Sequence, residues 1–330
     1  MQVMILAAGR STRLGALGLE RPKPLVPICG YPAITFGLVQ CAAAGLRDVV
    51  INLHHHGDQI RQAIGDGSAF GLRVQYSEEI ELLGTGGGLA AARPRFVPGP
   101  VLVMNGKVVA NLSLAQIIAA HRAAPPSTVA TMVLRPNPPG EKFAPVSLDE
   151  VGRVVGLRGK RGDVTAFGTV TDMMFAGVHI LEPGLLDRLP PTGESDVIAA
   201  AYQPALAAGA RVQGFVMSGY FEEHSTPERY LAGNLALLRR PGLVATPPGP
   251  LTGVDPAARV DATATLRPPL RLGAGAVVEA KAVVGPDVVV SSGGTIAAGA
   301  RITRAVVWPG ARATGEISDS VVMAEGVVAA

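Results

Sequence analysis

Between positions 254 and 302 every sixth residue is aliphatic: Val254, Val260, Leu266, Leu272, Val278, Val284, Val290, Ile296 and Ile302. Four positions after most of these stands a small or apolar residue, namely Ala258, Ala264, Ala276, Ala282, Val288 and Ala300. A period of six suits neither a helix, at about 3.6 residues per turn, nor a simple alternating strand. It suits a left-handed parallel β-helix, in which three hexads close one triangular coil and stacked aliphatics fill the axis. The hexads extend over about three coils, and the residues after Ile302 are expected to form a last, irregular cap.

Upstream lies Arg240-Pro-Gly-Leu-Val-Ala-Thr-Pro-Pro-Gly-Pro250, too rich in Pro and Gly to sustain a helix or a central strand, and so a linker. Residues 1–238 follow another pattern. Short Val/Ile/Leu runs at 3–6, 49–53, 74–76, 101–104, 129–134 and 175–180 alternate with helical stretches such as 32–44 and 114–123. That alternation predicts an α/β domain of Rossmann-like, three-layer type, its sheet mainly parallel, with ligands at the carboxyl ends of the strands. The expected organisation is an α/β domain over 1–238, a linker over 239–252 and the β-helix over 253–330. A length of 330 residues agrees with two domains at about 150 residues each.

Composition narrows the function classes. The chain is 48% hydrophobic and 17% charged, which excludes a disordered, collagen-like or coiled-coil protein. Net charge is +3 with scattered basic residues, and aromatics make up 4%, leaving little to stack on bases, so nucleic acid is not an expected partner. Cys29 and Cys41 form no C-x-x-C pair, as expected of a reduced, cytoplasmic protein. The first nine residues read as a strand rather than a leader, and no apolar run approaches the ~18 residues of a membrane span.

The first strand runs into Gly9-Arg-Ser-Thr-Arg-Leu14, followed by Arg21-Pro-Lys-Pro-Leu-Val-Pro27. Glycine and short polar residues after a strand let backbone N–H groups approach a phosphate, and Arg13 and Lys23 supply charge. The spacing is not that of a P-loop, G-x-x-x-x-G-K-[ST]. Read alone, the segment is either a phosphate site or a turn carrying two solvated cations.

The run L-A-A-G-R-S-T-R-L…R-P-K-P-L-V-P-I-C-G-Y-P resembles the signature L-A-A-G-x-G-T-R-L…K-P-L-V-P-V-x-G-x-P of sugar-1-phosphate nucleotidyltransferases. Five further stretches are similar to that family in the same order: Gly65–Gly71, Leu83-Gly-Thr-Gly-Gly-Gly-Leu89, Asn105-Gly106, Phe175-Ala-Gly-Val-His179 and Ser225-Thr-Pro-Glu-Arg-Tyr-Leu231. The family, which includes mannose-1-phosphate guanylyltransferases and glucose-1-phosphate nucleotidyltransferases, often carries a carboxy-terminal left-handed β-helix. In its reaction a sugar phosphate attacks the α-phosphorus of a nucleoside triphosphate and pyrophosphate leaves. The resemblance implies that Ala8, Gly9, Ser11, Thr12, Arg13 and Lys23 hold the nucleotide's phosphates, with Arg13 and Lys23 flanking the reacting groups. It implies that Gly84, Thr85, Gly86 and Gly87 lie along the nucleoside. Glu79, Asn105 and Gly177 are implied near the sugar. Plain turn geometry would leave the same glycines in the sequence.

The departures from that family concern charge. Its Mg²⁺ sits between two aspartates, one after Asn-Gly and one in Trp-x-Asp-x-Gly-Thr. Here Lys107 follows Asn105-Gly106, and Glu223 and Ser225 stand in the second segment. Ser11 replaces a glycine of the first motif, and the Glu-Lys-Pro whose lysine contacts the sugar phosphate is missing. The nearest basic residues are Arg158, Lys160 and Arg161, and Lys160 is taken for that role. An ammonium in the metal's cage removes a ligand and repels the ion; unit charges about 4 Å apart interact by about 4 kcal/mol at a dielectric of 20. Lys107 is therefore expected to take the metal's place and pair with Glu223, leaving no metal or a weakly held Mg²⁺. The alternative is Lys107 turned to solvent with Glu223 still holding a metal through water. Together Arg13, Lys23, Lys107 and Glu223 are the candidate catalytic set. Two functions remain: a protein that binds nucleotide or nucleotide-sugar with impaired catalysis and a regulatory role, or a working nucleotidyltransferase with altered metal use.

His54-His55-His56 is expected as a strand-end loop, since three consecutive side chains cannot face one ion. His224, beside Glu223, is either a ligand contact or a solvated loop residue. No G-x-S-x-G elbow marks a hydrolase, and residues 251–330 lack histidine, so an acyltransferase built on the β-helix is not expected. The tail reads as an oligomerisation or regulatory platform, for a homo-oligomer or a hetero-oligomer with an active paralogue.

Overall fold

The computed structural model describes residues 1–138 and 143–330. By spatial proximity they fall into two compact units. The first comprises residues 1–9, 40–106 and 112–219; the second comprises 10–39, 107–111 and 220–330. These groupings describe packing, whereas the intervals 1–238 and 253–330 describe chain order. None of the described helices is long and apolar enough to cross a membrane.

The first unit is built on a ten-stranded sheet. One half is parallel: Gln2–Leu6 lies between Val101–Asn105 and Asp48–Leu53, and Arg73–Glu78 flanks the last of these. The other half runs antiparallel through the long strand Thr171–Leu181, which pairs with Val101–Asn105, Thr128–Pro136 and Pro145–Leu148. The remaining members are Val154–Leu157, Lys160–Arg161 and Arg211–Val216. Every strand expected from the sequence is present, and the helices Ala33–Ala43 and Leu114–Ala123 fall where the periodicity places them.

The parallel half determines where a ligand goes. From Gln2–Leu6 the chain moves to one side for its next two parallel strands and then crosses to the other side for Val101–Asn105. Strand order therefore reverses between Leu6 and Asn105, which are register partners. At such a switch point the connecting segments diverge and leave a crevice at the carboxyl ends. The three inner strands, Gln2–Leu6, Asp48–Leu53 and Val101–Asn105, are largely apolar and buried, and Met4, Val50, Leu89, Val101, Val103 and Met132 lie in one buried cluster.

In the second unit the parallel β-helix has the coil length read from the hexads. Val254 pairs with Leu272, Val260 with Val278 and Leu266 with Val284, each eighteen residues on. Val278 and Val284 pair with Ile296 and Ile302 at the same interval. Leu272, Val278, Val284, Val290, Ile296 and Ile302 fill the axis and are buried. The residues after Ile302 are more regular than a loose cap. Strand Arg301–Val307 pairs in parallel with Glu316–Met323, so the stack continues with shorter coils: Ile296 meets Ala313 and Ile302 meets Ile317. An antiparallel return, Gly326–Ala329, then closes it.

Helix Pro227–Arg239 packs against this β-helix. Thr226 caps it by accepting the Arg229 N–H at 3.3 Å, and proline opens its first turn. Its apolar face, including Tyr230, Leu231, Leu235 and Leu238, shares one core with Val288, Val306 and Trp308. Burying each such side chain is worth about 1.5–3 kcal/mol. Inside this core Trp308 Nε1 donates to Tyr230 Oη at 2.9 Å, and that hydroxyl donates to Pro27 O at 2.5 Å. The Cys29 N–H donates to Asn234 Oδ1 at 2.7 Å.

Candidate functional site

The second unit gathers a cationic cluster. Strand Phe221–Glu222 pairs antiparallel with Val109–Ala110, Glu222 opposite Val109, so the residue after one strand and the residue two before the other come side by side. Those residues are Glu223 and Lys107, and Lys107 Nζ stands 3.3 Å from Glu223 Oε1. Arg13 approaches the other oxygen, Oε2, at 4.0 Å. Glu222 is engaged elsewhere, accepting from Arg229 Nε at 2.9 Å, so Glu223 alone among the two faces the cations.

Lys23 joins them from a short turn over Lys23–Leu25, bracketed by prolines. Its N–H donates to Ser11 Oγ at 2.8 Å, so the hydroxyl that replaces a glycine ties together the two halves of the signature. Ser11 itself is buried and left-handed, at φ 60°, while Thr12 and Arg13 are exposed. Burial pushes the Lys23 ammonium down to about 8, Lys107 and Arg13 push the same way, and Glu223 opposes them. Three cations thus share one carboxylate. Mg²⁺ requires several hard oxygen donors, and this set offers one, already in contact with two cations, so these residues do not fit the metal that the resemblance implies.

The first unit holds the other sequence candidates. Ala8 is buried and Gly9 exposed just beyond the first strand. The Ala7 N–H donates to Asn52 Oδ1 at 2.7 Å, Asn52 Nδ2 donates to Glu79 Oε1 at 2.6 Å, and the Leu83 N–H donates to Glu79 Oε2 at 3.0 Å. Glu79 is therefore a buried brace between the strand ends and the helix Gly84–Ala92. Added methyls on that helix would collide with protein: at Gly84 or Gly86 with Ser195, at Gly87 with the Gly193 carbonyl, at Gly88 with the Glu79 carboxylate. The Gly86 N–H donates to Ser195 O at 2.8 Å, and Thr85 Oγ1 accepts the Val197 N–H at 2.9 Å. A close approach does demand these glycines, and within the chain the approaching groups are the 193–195 loop and Glu79.

Asn105 and Gly177 come together. Gly177 is left-handed at φ 71°, and a methyl there would enter the Asn105 amide. Lys160 lies elsewhere, exposed on the edge strand of the sheet, with three strands between it and Asn105. Of the three basic residues Arg158, Lys160 and Arg161, Arg158 reaches the glycine-rich helix region, donating to Asp196 at 3.0 Å. Asp196 and Ser195 had no signal in the sequence, and neither did Asn52, which sits one residue before the end of its strand.

His54 to His56 form a loop at a strand end, with the rings of His55 and His56 in contact at 3.9 Å. His224 fits neither alternative drawn from the sequence. It is buried against Tyr230 and Gly233, both ring nitrogens lack a hydrogen-bond partner, and burial holds its pKa down to about 3. The residue is a neutral wedge.

A family model described as nucleotidyl transferase matches residues 2–240. The chain is 31% identical over 313 residues to a mannose-1-phosphate guanylyltransferase of Mycobacterium tuberculosis, covering 94% of this chain and 81% of the relative. It is 36% identical over 190 residues to an N-acetylmuramate alpha-1-phosphate uridylyltransferase of Neisseria meningitidis, covering 57% of this chain and 78% of the relative. Among solved structures, HddC from Yersinia pseudotuberculosis complexed with GMP-PN aligns with a TM-score of 0.58 at 21% identity, covering 72% of this chain and 99% of that one. A putative glucose-1-phosphate thymidylyltransferase from Bacillus anthracis aligns at 0.59 with 17% identity, covering 73% and 96%. At those identities the two structures speak for the fold.

Proposed function

Because the chain belongs to the nucleotidyl transferase family, on its sugar-1-phosphate branch, we propose that it binds a nucleotide or nucleotide-sugar and that its transferase chemistry is impaired. One observation carries this reading: the 3.3 Å ion pair between Lys107 and Glu223. Transfer to a sugar phosphate brings two anions together and builds charge on departing pyrophosphate, so catalysis depends on positioned positive charge. Arg13 and Lys23 supply charge for gripping phosphates. Lys107 is held back by an internal carboxylate, and a flexible ammonium does not clamp several oxygens at once as a divalent ion does. Binding is retained more readily than rate.

The long match to a mannose-1-phosphate guanylyltransferase makes a guanine nucleotide and its mannose conjugate the first ligands to try. A ligand at 100 times its dissociation constant adds about 2.7 kcal/mol of stability, readable as a rise in melting temperature. The expected result is such a rise with no pyrophosphate released above background from triphosphate and sugar-1-phosphate. A second reading rests on the same cluster: three cations around one carboxylate supply charge that a metal would otherwise bring, giving a metal-independent transferase. Pyrophosphate release that needs both substrates, persists in EDTA and is lost in Arg13→Ala would establish it. No melting shift with any common nucleotide or nucleotide-sugar would overturn both.

A further inference from the structure

Lys23 lies inside a signature segment that is pinned to the core of the second unit on both sides. Before it, the Arg21 guanidinium carbon stands 5.7 Å from the centre of the Trp308 ring, over its face. After it, the Pro27 carbonyl accepts from Tyr230 Oη at 2.5 Å, and the Cys29 N–H donates to Asn234 Oδ1 at 2.7 Å. The Tyr230 hydroxyl has one proton, committed to Pro27, and its oxygen accepts the Trp308 Nε1–H at 2.9 Å, so the two bonds fix its orientation. These three hydrogen bonds join residues 203, 205 and 78 apart in sequence, which no local turn explains. Tyr230, Asn234, Cys29 and Trp308 are fully buried. Lys23 is tied to the pinned part by its own turn, where the Val26 N–H donates to Lys23 O at 3.3 Å.

We propose that Tyr230 and Trp308 are positioning residues for Lys23, so that the β-helix determines where this ammonium stands among Arg13, Lys107 and Glu223. The role rests on the reading that Lys23 grips phosphate, and the two aromatic residues act on the ligand only through it. Without the Tyr230 proton, Pro27 keeps a buried carbonyl that has lost its donor, a state relieved by turning that carbonyl out of the core. The Lys23 turn follows, and its ammonium regains water. Burial is the largest cause of the lowered Lys23 pKa, about 8, so an outward movement registers there as a rise. Trp308 acts one bond further away: its N–H occupies a lone pair of the hydroxyl and strengthens the bond to Pro27. Its loss therefore has a smaller effect of the same sign.

Tyr230→Phe keeps the ring and removes the hydroxyl. Tyr202→Phe is its control, removing a buried hydroxyl that meets His179 Nδ1 at 2.8 Å in the first unit. In ligand-free protein, NMR of 13C-labelled lysine follows Lys23, one of five lysines, identified by the signal that Lys23→Arg lacks. The titration midpoint is expected at about 8 in wild type and in Tyr202→Phe, and higher, toward 10.5, in Tyr230→Phe and less so in Trp308→Phe. At about pH 7, inorganic pyrophosphate should bind about 10-fold more weakly to Tyr230→Phe and as tightly as wild type to Tyr202→Phe. Trp308 is the chain's single tryptophan and coupling is reciprocal, so pyrophosphate should also change wild-type tryptophan emission, a measurement that needs no variant to fold. A Lys23 midpoint unmoved in folded Tyr230→Phe, equal shifts in both tyrosine variants, or unchanged emission from protein saturated with pyrophosphate would each overturn the role. If the wild type binds no pyrophosphate but the midpoint moves in Tyr230→Phe alone, the positioning stands and the phosphate reading fails.

Discussion

The cationic cluster and the glycine-rich helix carry two parts of the same family signature, yet they differ in how their polar groups are satisfied. Around the helix, neutral donors answer a single buried carboxylate: Asn52 and the Leu83 N–H meet Glu79 at 2.6 and 3.0 Å, and the 193–195 loop meets the helix amides. Around Glu223, Arg13, Lys23 and Lys107 outnumber the one carboxylate, and the contacts are longer, at 3.3 and 4.0 Å. A buried network of the first kind fixes a backbone. A surplus of like charge near the surface stores repulsion that an incoming anion relieves. Motif residues in the first region therefore answer to stability, and those in the second to ligand charge.

The largest effect that would sharpen this contrast lies at Gly87. A methyl there runs into the Gly193 carbonyl and the Leu83 side chain, both on the tightly packed side of the helix. Overpacking of that kind costs about 3 kcal/mol. Gly87→Ala should lower the melting temperature by several degrees with no ligand present, and a variant that melts like wild type but loses nucleotide would move the glycines to the ligand side of the comparison. Next comes Glu79→Gln, which places an amide donor where two N–H donors converge. Leaving a buried donor unmet costs about 1–3 kcal/mol. Chemical denaturation should show that loss, again without ligand.

The difference between the two regions also explains what was readable from the sequence. Short apolar runs and the period-six pattern record which residues face a core, so the strands and the eighteen-residue coils were legible, as was the ion pair, because Lys107 and Glu223 sit inside recognisable segments. The brace Asn52–Glu79 and the loop around Ser195 were not. Hydrogen bonds between residues 27 or more than 100 apart leave no local pattern, and an asparagine near a strand end looks like any polar residue. Regular coils after Ile302 were missed because the repeat shortens there and the hexad phase is lost. Lys160 was chosen by proximity in sequence, and a tight turn at Gly159 sends it to the sheet edge while Arg158 reaches Asp196.

The cationic region predicts effects smaller than those and dependent on pH. Lys23 has a folded pKa of about 8 against an ordinary 10.5. Below about pH 8 the ammonium is charged in both folded and unfolded chain, and its burial opposes folding in full. Between about 8 and 10.5 the unfolded chain keeps a proton that the folded chain has shed, so this group makes stability rise with pH over that window. Affinity for a phosphate ligand should run the other way, weakening as pH rises through about 8, because the group that grips it loses its charge. Lys107→Met removes the second-largest cause of the shift and should move that midpoint upward. Calorimetric titration with inorganic pyrophosphate at several pH values measures it. A midpoint unchanged by the substitution would mean that burial alone sets the Lys23 pKa and that the three cations do not act as one group. In the same titration Lys107→Asp should convert a response indifferent to Mg²⁺ into one that Mg²⁺ strengthens, since it replaces a cation by the missing oxygen donor.

The smallest effect is expected at Ser11, where two terms of similar size oppose each other. A left-handed serine, at φ 60°, is strained by roughly 1–2 kcal/mol relative to glycine. Its hydroxyl accepts the Lys23 N–H at 2.8 Å in a buried setting, which contributes about 1 kcal/mol. Ser11→Gly removes both at once, so stability should stay within about 1 kcal/mol of wild type. The ligand response should change more, because the hydroxyl is what fixes the Lys23 backbone beside the first signature segment. Without it the Lys23 turn is free to shift, and pyrophosphate affinity should fall while the melting temperature does not. If affinity and melting temperature instead fall together, Ser11 belongs with Glu79 as a brace, and the division between a stabilising region and a charge-bearing one does not hold at the point where the two signature segments meet.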